Sequence, residues 1–523
     1  MAEAAGGTDS RGSTVSTVIV MLCTTASRLF GYVRQALFSY YFGATGAADA
    51  MNAVFNIPNN LRKLFAEGAF SSAFIPVLST TIEEDPSGKR SRALVSALSA
   101  FLLIVLLPLV GLSIIFPRLF VNVLLQFTDP QKVGTAARLM QWMFNYILLV
   151  SLSDLVMAVL NSHGRFTIPA LSPLLFTAAT VLSLLFFNGR LGIIAMGVGV
   201  LAGGVLQLAF QLPSLRRQGY TLRPRLDLRN PDFLRTITLW VPYLASASIA
   251  TITQFIATLF ASGLEDGSVS AVANSVMFLQ IPIGIFTTSV ATVVFPKMSR
   301  QAAQGDTEGL RGSASYGIQF ILVLLVPSTV LLCLFGREII AAAMQRGKFT
   351  SENSLMASRA LTGYAVGLVA MGVYTFLQKL FNSLKSFSVP MLSAGLVAAL
   401  DIALSLVLKE TPLRVSGLAY ANSIAFLAGS VLLAWLARRR LGRIGLIPIL
   451  SMLGRSLLGS IPMAALLLLV VRWKPDLWLH GGTARGTVLI AGVVAACLAL
   501  TLASYAALRI PFLSQLLKRR EGA

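Results

Sequence analysis

Phe166-Thr167-Ile168-Pro169-Ala170-Leu171-Ser172 returns about 220 residues later as Phe387-Ser388-Val389-Pro390-Met391-Leu392-Ser393, and this echo organises the chain. Two further pairs share the offset. Phe74-Ile75-Pro76-Val77-Leu78-Ser79 matches Val294-Phe295-Pro296-Lys297-Met298-Ser299, and the basic end Arg216-Arg217 matches Arg438-Arg439. Three matches in one order at nearly one spacing indicate a duplicated unit. Each copy covers about six apolar segments, an even number, so both insert with the same orientation. The repeats are therefore parallel, related by an axis along the membrane normal, as in transporters that rock two halves about a central site.

Composition points the same way. Hydrophobic residues make up 55% of the chain and charged residues only 12%, against about 25% charged in an ordinary soluble domain. Apolar runs of spanning length recur from Val15 to Leu508. The expected fold is an all-α polytopic membrane protein of about fourteen transmembrane helices, with two parallel repeats of about six forming two lobes and two extra helices following them. The segments run from 15–43 and 48–80 through 233–262 to 486–508. The expected organisation is a cytoplasmic tail over 1–14, a first lobe over 15–220, a second lobe with its preceding basic loop over 221–443, the two additional helices over 444–510, and a basic cytoplasmic tail over 511–523. Arg11 precedes the apolar run Val15 to Cys23 without a small-residue cleavage site, so the first helix is read as uncleaved.

The net charge of +21 would suggest nucleic acid in a soluble protein. Here most basic residues fall in short loops, where they set topology and meet anionic lipid, so nucleic-acid binding is not expected. With the N-terminus inside, roughly 24 Lys and Arg collect on the cytoplasmic side against roughly 12 outside, which supports both termini in the cytoplasm. Cys23, Cys333 and Cys497 have neither metal nor redox spacing and read as packing residues.

The most informative residues are the cations Arg28, Arg34, Arg62 and Lys63, which lie inside stretches that otherwise read as spanning helix. An arginine at the centre of such a helix costs roughly 2.5–3.5 kcal/mol on insertion scales. A water-filled cavity holding an anion offsets that cost, because guanidinium presents a rigid fork of donors that matches phosphate or carboxylate. Arg28 and Arg34 lie mid-segment and read as cavity residues, whereas Lys63 reads equally as a snorkelling side chain. Directly before Arg62, Asn56-Ile57-Pro58-Asn59-Asn60 is a polar, helix-breaking patch, and a proline at this depth frees a carbonyl that protein or water must satisfy. Asp49 is open between countering Arg34, guarding the mouth of the cavity and being solvated. Glu67, about a turn beyond Arg62 and Lys63, is expected to orient those bases. Asp401, with Ser405 one turn along, is a second costly carboxylate, read either as a cation site or as a group paired with Asn422 or protonated. Asp154 has the same ambiguity and no motif around it. His163 and His480 stand near loops without a carboxylate cluster, which argues against a membrane enzyme.

The stretch Ser27-Arg28-Leu29-Phe30-Gly31-Tyr32-Val33-Arg34, followed by Phe42-Gly43-Ala44, Asp49-Ala50 and Pro58-Asn59-Asn60-Leu61-Arg62-Lys63-Leu64-Phe65-Ala66-Glu67-Gly68-Ala69-Phe70, closely resembles the MurJ (MviN-type) lipid II flippases. The likeness continues through Gly164-Arg165-Phe166-Thr167-Ile168-Pro169-Ala170, Gly203-Gly204-Val205-Leu206-Gln207-Leu208 and Gly347-Lys348-Phe349-Thr350, so it covers nearly the whole chain. The family belongs to the superfamily of multidrug and oligosaccharide-lipid exporters. The resemblance implies a cationic cavity in which Arg28, Arg34 and Arg62 hold the diphosphate, a transport role for Asp49, and a groove for the polyprenyl chain on the last two helices. It also implies a Na⁺ or proton site at Asp401 and Ser405, with membrane potential as another energy source and no organic cofactor. The implied function is translocation of lipid II from the cytoplasmic to the periplasmic leaflet of a bacterial inner membrane by alternating access. Lipid II, membrane lipids and other cell-wall synthesis proteins are the implied partners. One departure is clear: the family usually carries Ala-Asp-Arg on the eighth helix, where this chain has Ser275-Val276-Met277, and Gln35 replaces the acidic residue that often follows Arg34. Diphosphate recognition would then rest on the first lobe, and an exporter of the same fold for another polyprenyl-diphosphate glycan or a drug is the alternative.

Overall fold

The structure, a computed structural model, describes residues 23, 26–27, 29–65 and 69–510. Among these residues the only regular secondary structure is helix, and there is no strand. The chain folds as two compact units. The first holds α1 (29–42), α2 (Gly46–Phe65), α3 (Ala69–Glu84), α4 (Lys89–Ile115), α5 (Pro117–Leu124), α6 (Pro130–Met143), α7 (Tyr146–Ser162), α8 (Thr167–Leu191), α9 (Ile194–Arg217) and the part of α10 (Pro231–Ser262) up to Phe255. The second holds the rest of α10, then α11 (Ser268–Pro282), α12 (Thr288–Ala303), α13 (Thr307–Met344), α14 (Ser351–Val366), α15 (Leu368–Ser383), α16 (Ser388–Leu408), α17 (Val415–Leu441), α18 (Leu446–Trp473) and α19 (Ala484–Ala507), with Gly43–Thr45 clustering beside them.

Local signals set the helix starts. Asp129 caps α6 by accepting from the Gln131 amide, with Pro130 at the first helical position where its missing N–H costs nothing. Thr350 and Asn353 form a reciprocal capping box at the start of α14. The duplication is visible in the same kind of detail. The turn before α8 runs through Gly164 at φ 69°, with its amide donating to Asn161 O, and the turn before α16 runs through Lys385 at φ 55°, with its amide donating to Asn382 O. A few residues on, Ser172 donates to Pro169 O at 3.0 Å and Ser393 to Pro390 O at 2.9 Å.

The compact units divide inside α10, between Phe255 and Ile256, whereas the lobe boundary expected from sequence is at 220/221. The physical reason lies in the core of the first unit. Trp240 on α10 meets Phe70 and Phe101 edge-on at 6.5 and 5.9 Å, within a cluster that includes Phe74, Leu98, Leu155 and Val159. Burying an indole among aromatic rings favours such edge contacts and fixes the first half of α10 to this unit. The additional helices α18 and α19, set apart over 444–510 in the sequence, cluster with the second unit. Met463, Leu467 and Cys497 pack on Phe335 of α13, and Tyr505 donates to Val323 O at 2.9 Å.

Ten of the described helices or continuous helix pairs are long and apolar enough to cross a membrane, or eleven when the α14–α15 pair, bent by 48°, counts as one span. α6 and α7 together make one of them, and α11 with α12 another. The segments 15–43, 48–80 and 233–262 supply the rest of the sequence count; each lies partly outside the described residues or side chains. The patch Asn56–Asn60 does not break its helix: α2 continues through Pro58 to Phe65.

Candidate anion-binding cavity

Helical periodicity gathers the site. On α2, Phe55, Asn59 and Arg62 recur at intervals of four and three residues and so share one face. On α7, Tyr146 and Asp154 lie about two turns apart. With Arg34 of α1, Pro173, Phe176 and Thr177 of α8 and Gln207 of α9, these residues line a cavity of about 390 Å³ in the first unit. Ser27 also reaches it.

The two described arginines are held differently. Arg34 stands between aromatic rings, its guanidinium carbon 5.6 Å from the Phe55 centroid and 6.0 Å from that of Phe176. Tyr146 braces both rings, at 6.2 Å from Phe55 and 5.0 Å from Phe176. Such a frame stabilises a cation through the ring faces without consuming its N–H donors, and the Arg34 Nε is buried without a hydrogen-bond partner. Arg62 instead approaches a carboxylate, with Nη1 3.6 Å from Asp154 Oδ2. Gly203 shapes the wall from behind: a Cβ there would lie 2.7 Å from the Phe176 ring and 2.9 Å from the Phe176 carbonyl, so only glycine lets α9 approach α8 so closely.

The remaining expected site residues are distributed as follows. Lys63 turns elsewhere, donating to Gln254 at 2.9 Å and Asn60 at 3.5 Å, so it makes protein contacts instead of snorkelling. Asp49 is not solvated. It is buried with Lys132 of α6 at 3.3 Å, and the Lys132 ammonium lies 4.7 Å from the centroid of Phe127. Asn59 lines the cavity, while Asn56 and Pro58 of the same helix are not among its lining residues. Arg28 and Glu67 lie outside the described residues. Asp154, Phe55, Tyr146, Phe176 and Gln207 complete the site without having been assigned to it from sequence. Only Asp154 left a trace there, as a carboxylate in an apolar span.

In the second unit, Asp401 accepts from Asn422 Nδ2 at 2.9 Å and from Ser405 Oγ at 3.5 Å. The Asn422 Oδ1 is buried without a hydrogen-bond partner. The Asn422 amide thus pairs with the Asp401 carboxylate as a donor, the pairing the sequence left open beside a cation site. No cluster of three or more His, Cys, Asp or Glu suited to a metal occurs among the described residues. On α11, Ser275 donates to Ala271 O and Ala357 O at 2.6 and 2.7 Å, and Met277 is half-buried.

These features define a multi-pass, all-helical membrane protein with a cationic cavity. The solved inward-closed structure of the lipid II flippase MurJ superposes with a TM-score of 0.76 at 24% identity, covering 94% of this chain and 99% of that one. An inward-facing multidrug resistance MATE family transporter of the MOP superfamily superposes at 0.66 with 14% identity, over 80% of this chain and 95% of its own. The sequence model of the family described as lipid II flippase MurJ matches residues 38–489. The probable lipid II flippase MurJ of Borreliella burgdorferi is 34% identical over 465 residues, which is 88% of this chain and 90% of that protein. The corresponding Rhizobium meliloti protein is 30% identical, over 86% and 85%. The chain belongs to the lipid II flippase MurJ family.

Proposed function

We propose that this protein translocates lipid II from the cytoplasmic to the periplasmic leaflet for peptidoglycan synthesis. The observation that carries the reading is the pair Arg34 and Arg62 facing one cavity within the apolar first unit. Two guanidinium groups there suit a diphosphate, whose oxygens accept their parallel donors. Arg28 is the third expected contact. The headgroup enters the cavity while its polyprenyl tail stays in lipid, and the protein alternates between states open to either side. No bond is made or broken, so this is transport and not enzymatic catalysis.

The tail is assigned to α18 and α19, where Leu457, Leu458, Ile461, Leu468 and Leu469 of α18 are exposed apolar side chains. The excess of Lys and Arg in loops assigned to the inside supports cytoplasmic termini. Asp401 and Ser405 are assigned to a coupling Na⁺ or proton, a reading supported by a carboxylate and a hydroxyl placed side by side in the second unit. A second reading, another polyprenyl-diphosphate glycan, draws on Met277 in place of the arginine usual in the family. Reconstituted vesicles decide between the readings. Lipid II should reach the outer leaflet in a protein-dependent manner, faster than other polyprenyl-diphosphate glycans, and Arg34→Gln or Arg62→Gln should abolish this. Equal transport of all such glycans would favour the second reading.

A further inference from the structure

A carboxylate standing beside the cation that should hold an anion is a competitor for that anion. Asp154 occupies this place. Its side chain is 2% exposed against 20% for Arg62, so the carboxylate belongs to the wall and the guanidinium reaches towards the cavity space. The contact of 3.6 Å is longer than the roughly 2.7–2.9 Å of a tight charge-assisted hydrogen bond. It is an ion contact that can be exchanged. The charged residues lining the cavity among those described are Asp154, Arg62 from α2 and Arg34 from α1; Tyr146 on α7, Thr177 from α8 and Gln207 from α9 are neutral.

We propose that Asp154 is the resident counter-ion of Arg62, displaced by the substrate diphosphate, and that it sets how tightly the cavity holds its cargo. The proposal rests on the cavity being the diphosphate site. In the empty cavity the carboxylate keeps Arg62 in place and halves the positive charge presented by the two arginines. On loading, Arg62 turns its donors to the diphosphate. On release, the pair re-forms and opposes rebinding. A carrier needs this, because a site that binds its cargo too strongly does not let it go. Asp154 acts through Arg62 and is a positioning residue.

The test compares binding of undecaprenyl diphosphate to the full-length protein in nanodiscs with lipid II transport in vesicles. Asp154→Asn keeps the shape and removes the charge. It should bind undecaprenyl diphosphate about tenfold more tightly, about 1.4 kcal/mol, with a steeper loss of affinity in salt. In transport, the apparent KM should fall and kcat should fall with it, a split that loss of a merely structural contact would not give. Unchanged or weaker binding by folded Asp154→Asn, while Arg34→Gln and Arg62→Gln still lose affinity, overturns the role of Asp154 alone. If neither arginine variant loses affinity, the diphosphate site itself is wrong and the proposal falls with it. Should Asp154→Asn not fold, Asp154→Ser carries the test: it removes the charge while leaving Arg62 in place and should bind undecaprenyl diphosphate severalfold more tightly than wild type, and equal or weaker binding overturns the proposal.

Discussion

Asp49 and Lys132 form a buried ion pair, Oδ2 to Nζ 3.3 Å, that ties α2 to α6. Their side chains are 0% and 5% exposed. Removing one partner of a buried ion pair typically costs about 3–5 kcal/mol.

Asp49→Ala should therefore lower the thermal stability of the purified protein and its abundance in the membrane. Asp49→Asn/Lys132→Met, which removes both charges, should recover most of the stability. Thermal unfolding of the three proteins in one detergent checks this. Full stability in Asp49→Ala would show that the pair does not hold α2. If the double variant is stable but does not transport, Asp49 has a transport role beyond its pairing.

Arg34→Lys keeps the charge but loses the planar fork and the stacking between Phe55 and Phe176. Hydrogen bonds to charged groups contribute about 1.5–3 kcal/mol each, so losing one should weaken diphosphate binding by about tenfold or more. Membrane abundance should stay normal. Binding equal to wild type would mean that charge alone, without geometry, suffices at this position.

Gly203→Ala places a methyl group against the Phe176 ring and carbonyl, at 2.7 and 2.9 Å. Because one of these atoms is backbone, α8 and α9 must separate, at a cost typical of overpacking, about 1–3 kcal/mol. The Phe176 ring should move relative to Arg34, so affinity should fall along with stability. Gly111→Ala on α4, where a Cβ meets nothing within 4 Å, is the control and should be neutral or stabilising. Equal behaviour of the two variants in thermal unfolding and binding would refute the close-packing account.

Lys385 occupies the left-handed region at φ 55°, in the turn whose counterpart in the first unit is Gly164 at φ 69°. A side chain there costs roughly 1–2 kcal/mol relative to glycine. Lys385→Gly should raise the thermal midpoint without changing transport. A lowered midpoint would show that the lysine side chain makes compensating contacts.

The recurrence at Phe166 and Phe387, read as a duplication, coincides with paired turns and paired Ser–Pro hydrogen bonds in the structure, because turns and helix starts are decided by neighbours a few residues apart. The polarity of Asn56–Asn60 was a poorer guide. It suggested a broken helix, but one proline within a packed helix does not end it when neighbouring structure compensates for the lost bond. The cavity was legible as far as its cations, since an arginine in an apolar span is conspicuous wherever it points.

By itself, then, the sequence determined the membrane class, the parallel duplication, the family motifs and the presence of Arg34 and Arg62 within the apolar first segments. These follow from composition, periodicity and local spacing. Only the tertiary structure decided which carboxylate answers which cation. Asp49, one helix away from Arg34, pairs with Lys132 83 residues along the chain, and Asp154, without any motif, meets Arg62. Such partners depend on how each helix is rotated about its axis and which neighbour it packs against. Those rotations are set by the whole core, including the Gly203–Phe176 contact and the aromatic frame of Arg34, and no stretch of sequence specifies them alone.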